Sequence, residues 1–194
     1  MEQDFQVEDS PQTRRLLEGQ LRECYGRAVY SHKTHEKCAD ILLSRLSRIK
    51  FFQLLLASLT TGGFLFTIFD STKILAVLGA LVSTALLVLN FYTKDYDLGA
   101  VAQKHKQAAN DIWLIRERYL SLITDIKMNR EPLSAIMEER DALVKDLHAV
   151  YAGSPSTTNE AYRKAQKALK TQEDMTFSEN EIDAFLPKDL RRTG

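Results

Sequence analysis

His32, His35 and Cys38 are the residues here whose types most resemble a metal-ligand set, at spacings of three and three. On a helix each step of three turns the face by about 60°, so the three donors do not converge well on one ion. They read as polar residues on a solvated helix face, and no metal or other cofactor is expected. His105 and His148 read as face-filling residues, since neither has a Ser or Cys nucleophile at recognisable spacing. Glu138 and Glu139 belong to a charged helix face. Gly62 and Gly63 lie inside an apolar run and cannot cradle phosphate, which needs a strand before the loop and a helix after it. The chain is not expected to be an enzyme.

A second set of polar residues is set in apolar surroundings. Gln53, Thr60 and Thr67 recur every seven residues, and Ala76, Ser83 and Asn90 repeat the spacing downstream. Ser58 stands four residues before Gly62, beside Gly63, and Ala76, Ala80 and Thr84 follow one another at intervals of four. Such faces let helix backbones approach closely and form hydrogen bonds across helices. They can instead line a wet path, but two helices cannot enclose one, so that use requires several chains. No ionisable residue lies among them, which argues against a proton relay, a voltage sensor or an ion-coupled carrier.

The elements that must hold these residues are two uncharged segments, 51–69 (FFQLLLASLTTGGFLFTIF) and 74–92 (ILAVLGALVSTALLVLNFY). Each covers roughly 28 Å as a helix, close to the ~30 Å hydrocarbon core of a bilayer. Each carries eleven Leu, Ile, Val and Phe residues, which favour insertion by roughly 3 to 6 kcal/mol. A soluble core able to surround two such helices would need more protein than 194 residues supply. The intervening 70–73 (DSTK) allows only a tight turn, making the helices antiparallel neighbours. Lys33, Lys37, Arg45, Arg48 and Lys50 precede the first segment and Lys94, Lys104 and Lys106 follow the second, whereas the turn holds only Lys73. The excess of positive charge places both termini in the cytoplasm, with Tyr92 and Tyr96 at the inner interface.

The flanks read as helices. Ser10 and Pro11 start one that carries Leu16, Leu17, Leu21 and Cys24, and a second begins near Tyr30 and runs into the membrane. After residue 92, Val101, His105, Ala108, Ile112, Ile115, Tyr119, Leu122 and Ile126 keep helical spacing to about Met128. A further helix runs from Pro132 to about Tyr151. Thr158–Thr171, rich in Ala and Lys, is expected to be loosely held, and a last short helix opens with Ser178 and Glu181 in capping-box spacing. The chain thus divides into N-terminal cytosolic helices (1–50), a transmembrane hairpin (51–92), a helical stalk (93–152) and a C-terminal helical tail (153–194). The fold class is an all-α membrane protein, a two-helix hairpin extended by long cytosolic helices.

Acidic and basic residues balance at 26 each, and no basic run interleaved with aromatics points to nucleic acid. The two cysteines, Cys24 and Cys38, are too few for a disulfide framework and read as reduced thiols. The charged first 48 residues hold no cleavable signal, so the first apolar segment is expected to direct insertion.

A charged helix entering the membrane through YGRAVYSHKTHEKCADILLSRLSRIKFF, two spans joined by a four-residue turn, and a long helix after FYTKDYDLGAVAQKHKQAANDIW resemble the SLATT family over about residues 14–150. These are two-transmembrane effector domains associated with bacterial nucleotide-signalling conflict systems. The resemblance implies a multi-pass inner-membrane effector of anti-phage defence that forms homo-oligomers and permeabilises the lipid bilayer. A separately encoded sensor or nucleotide-producing enzyme would trigger it. The resemblance carries no catalytic residues. The alternative is a passive anchor whose cytosolic helices recruit a partner.

Overall fold

The computed structural model describes residues 9–67 and 73–192, without the side chains at 65–67, 73 and 75. All regular structure among them is helical. α1 runs unbroken over Pro11–Thr67, 57 residues and therefore about 85 Å long. The two N-terminal helices expected from the sequence are one: Gly19 and Gly26 each weaken a helix by only about 1 kcal/mol, and no proline interrupts the run. Ser10 caps it, its hydroxyl accepting from the Thr13 amide at 3.2 Å.

α2 spans Lys73–Asp95 and α3 spans Leu98–Met128, separated at Asp97, whose carboxylate accepts from the Ala100 amide at 2.9 Å. Gly99 sits in the first turn of α3, where an added Cβ would lie 3.3 Å from Asp97 Oδ1 and 3.5 Å from Leu46 Cδ2. α3 ends at Asn129 in the left-handed conformation (φ 53°), which Asn tolerates because its short polar side chain bonds locally. Contacts run from His32 with Ala109 and His35 with His105, through Leu46 beside Gly99, to Gln53 with Asn90. As α1 advances its partner recedes, so α1 lies antiparallel to α3 and then to α2.

α4 (Leu133–Gly153) folds back onto α3, and the core gathers where α1, α3 and α4 meet. Leu21 from α1, Ile112 and Tyr119 from α3, and Ile136 and Leu143 from α4 are fully buried there. Each such Leu or Ile contributes roughly 1.5–3 kcal/mol of apolar transfer. Arg118 ties the outer edge, donating to Glu139 at 2.6 Å and Asp146 at 2.7 Å.

α5 (Asn159–Thr171) is capped by Thr158 and docks on α1. Ala161, Ala165 and Ala168 are completely buried, and Tyr162 stacks on Tyr30 with ring centroids 6.0 Å apart. Its expected looseness does not hold: alanine at spacings of four and three gives little apolar area but lets the helix sit close. Asp174 follows, held by the nearly buried Lys33 ammonium at 3.0 Å. α6 (Glu179–Phe185) opens with the expected capping box of Ser178 and Glu181, and a 3-10 turn covers Lys188–Leu190.

Candidate functional site

From Phe51 onward the apolar side chains of α1 turn outward, and those of α2 do the same. Leu54, Phe64 and Ile74 are each about 70% exposed, and Phe51, Leu59, Leu81, Val88 and Phe91 are also exposed. Soluble monomers rarely carry a continuous apolar surface of this extent. The helical run beginning at Ala76 is long and apolar enough to cross a membrane, and none of its most apolar window is buried within the protein.

Where α1 and α2 meet, half-buried positions follow helical spacing: Gln53, Leu56, Ala57 and Thr60 on α1, and Gly79, Val82, Leu86, Leu89 and Thr93 on α2. The second set alternates steps of three and four, the seam of left-handed helix packing. Gln53 anchors the end of the seam nearer α3. Its amide nitrogen reaches Asn90 Oδ1 at 3.0 Å, Thr93 Oγ1 at 3.1 Å and the Leu89 carbonyl at 3.4 Å. The Thr93 hydroxyl in turn reaches the Leu89 carbonyl at 3.1 Å. The structure therefore joins Gln53 and Asn90 and adds Thr93, which lies just past the segment 74–92 read as the second span. Its spacing of seven from Leu86 is the signal that would have included it.

The remaining polar and small residues serve their own helix or face outward. Thr60, Ser58 and Thr84 donate to the carbonyls four residues back, at 2.8, 2.9 and 2.8 Å. Ser58, Gly62, Gly63, Ala76, Ala80, Ser83 and Thr84 are exposed. Among the described residues a Cβ built at Gly62 or Gly63 would meet nothing within 4 Å. The Thr67 side chain and turn residues 70–72 lie outside the described residues.

Nearer the core, the histidines form a layer between α1 and α3. His32 donates through Nδ1 to the Ala109 carbonyl at 2.8 Å, and His35 Nδ1 lies 3.0 Å from His105 Nδ1. All three are buried, as is Cys38. The solvated-face reading of His32, His35 and Cys38 is thus overturned, because α3 covers this side of α1. Among the described residues no group of three His, Cys, Asp or Glu side chains is placed to hold a metal. Burial, then His105, then His32 push the His35 pKa down to about 4, and burial lowers that of His105. His35 is therefore neutral at pH 7.

Residues 17–181 match the family model described as SMODS and SLOG-associating 2TM effector domain family 4. The chain belongs to this family. The SLATT match covers α1 through the start of α6, so α3, α4 and α5 belong to the domain as fully as the apolar pair. The family is one of membrane effector domains and not a known enzyme family. No curated protein and no solved structure matches the chain.

Proposed function

We propose that this SLATT chain crosses the bacterial inner membrane twice, through 51–69 and 74–92, and that its copies assemble and permeabilise the bilayer in anti-phage defence. The carrying observation is the uncovered apolar surface of both helices around a packed seam closed at one end by Gln53, Asn90 and Thr93. Exposing such side chains to water costs roughly 1.5–3 kcal/mol each, and lipid removes that cost. The helical backbone satisfies its own hydrogen bonds, as a bilayer demands. Because Gln53 pairs with Asn90, the basic residues before Phe51 and Lys94 after Tyr92 stand at one end of the pair. By the positive-inside rule that end faces the cytoplasm, which puts both termini there.

Assembly is supported by what one chain leaves uncovered. Ser58 and Gly62 on α1, with Ala80, Ser83 and Thr84 on α2, present small and polar groups outward, where a second copy supplies packing partners. The family's association with SMODS and SLOG domains supports a separately encoded sensor or nucleotide-producing enzyme as the trigger. The test is membrane depolarisation in bacteria overexpressing the chain. Gly62→Leu combined with Ser83→Leu should abolish depolarisation and the cross-linked oligomer while leaving insertion intact. Cells that remain polarised with the wild-type chain inserted and assembled would refute permeabilisation.

A second reading, the passive anchor, draws on Phe177 and Phe185, 65% and 81% exposed near the C-terminus. An anchor carrying Ser at both positions should lose its partner in pull-down from the membrane, whereas the depolarising effector would keep its activity.

A further inference from the structure

Below the apolar helices, α1 and α5 border a cleft of about 470 Å³. We infer that it binds a phosphate-bearing anion, either an anionic lipid headgroup at the inner membrane surface or a free phosphate compound. Lys37, Arg45 and Arg48 line it from α1, and Lys164 and Lys167 from α5, against two carboxylates, Asp40 and Glu160. Ile41 is the single apolar side chain in the lining, so the cleft suits a charged occupant. On α1 the lining recurs at 37, 41, 44, 45 and 48, and on α5 at 160, 164 and 167, so each helix gives one face.

The charges are unevenly matched. Glu160 already bridges Arg45 at 3.2 Å and Lys164 at 3.0 Å, and those neighbours hold its carboxyl below the usual range, Lys164 foremost. Asp40 lies 3.7 Å from Lys37. Arg48 and Lys167 have no carboxylate partner among the described residues; the Arg48 Nε only reaches the Ser44 carbonyl at 3.4 Å. Two facing helices holding this excess of positive charge are relieved by an anion between them. A phosphate offers the oxygens that an Arg fork takes in pairs and a Lys takes as a point charge. The cleft falls within the roughly 300–1,000 Å³ of small-ligand sites. A second cleft, beside Tyr30 and Tyr162, is lined by a single cation, Arg27, which is paired with Glu23.

Arg48 precedes Phe51 by three residues, about 4.5 Å of helix rise, so a lipid phosphate of the cytoplasmic leaflet lies within reach if residues 51–69 cross the membrane. The lipid source rests on that reading; the free-phosphate source does not. Occupancy by either ties α5 to α1.

The full chain in detergent at low salt is titrated with inorganic pyrophosphate by calorimetry, and its retention of phosphatidylglycerol over phosphatidylcholine is read by native mass spectrometry. Arg48→Glu with Lys167→Glu should weaken the affected probe about tenfold or more, and Arg48→Gln with Lys167→Gln less steeply, while Lys145→Glu with Lys188→Glu changes neither. The Gln pair carries the test if the Glu pair fails to fold. Loss of pyrophosphate binding assigns a free phosphate ligand, and loss of lipid selectivity alone assigns a headgroup. A wild-type chain that takes neither probe, or cleft variants indistinguishable from the control pair, would overturn the inference. Failure to float with vesicles would sink the membrane reading and leave the pyrophosphate result standing.

Discussion

His35 and His105 meet through their Nδ1 atoms, 3.0 Å apart across α1 and α3. One nitrogen must carry the proton and the other accept it, so the contact exists only while at most one ring is charged.

Acid should therefore loosen the stalk. Below its ordinary value of 6.5, His35 in the unfolded chain takes up a proton that the folded chain refuses until about pH 4. Stability present above pH 6.5 is lost as the pH falls through this window and changes no further below it. The loss from His35 is up to about 3 kcal/mol, with His105 adding in the same direction. Thermal unfolding of the detergent-solubilised chain followed by circular dichroism from pH 7 to 4.5 checks this, and His35→Leu with His105→Leu should flatten the dependence.

Gln53→Leu should separate the apolar helices at the end nearer α3. It removes three hydrogen bonds and leaves Asn90 and Thr93 without the amide. The expected cost is about 0.6–2 kcal/mol in a bilayer. Electron paramagnetic resonance distances between spin labels at residues 52 and 91 should broaden; an unchanged distribution would show that the seam holds without Gln53.

Tyr119→Phe should be neutral or stabilising by up to about 1 kcal/mol. The Tyr119 hydroxyl is buried, and the Cys24 thiol approaches it without hydrogen-bond geometry; burial, then Cys24, push its pKa up to about 12. A drop in melting temperature would show that the Cys24 thiol does bond the hydroxyl.

Ala165→Leu should lift α5 from α1. The Ala165 side chain is fully buried, and a larger one costs roughly 1–3 kcal/mol if its neighbours cannot move. Limited proteolysis should then cut within Asn159–Thr171 faster than in the wild type, whereas Lys170→Leu, on the exposed side, should leave the rate unchanged.

Helix positions were largely legible because local signals set them. The end of α3 follows the helical period read to about Met128, and α6 follows its capping box. The long α1 was harder to read: its stripe weakens around His32–His35, so one helix looks like two. Glycine costs too little to break it, and only the covering α3 makes that polar patch an interior. The polar stripes were legible as stripes but not as partners. A period of seven says which residues share a face, not which face meets the neighbour, and a small rotation puts Gly79, Val82 and Leu86 at the seam and Ser83 outside.

By itself the sequence determined that this chain is helical and that two uncharged runs seek an apolar environment, because period, caps and transfer energies are properties of short segments. Tertiary structure alone decided that His35 pairs with His105, that Gln53 reaches Asn90 and Thr93, and that Arg45 and Arg48 face Lys164 and Lys167. Those meetings depend on the register and rotation of helices distant in sequence, and burial and net charge at a point in space are fixed only when the helices pack.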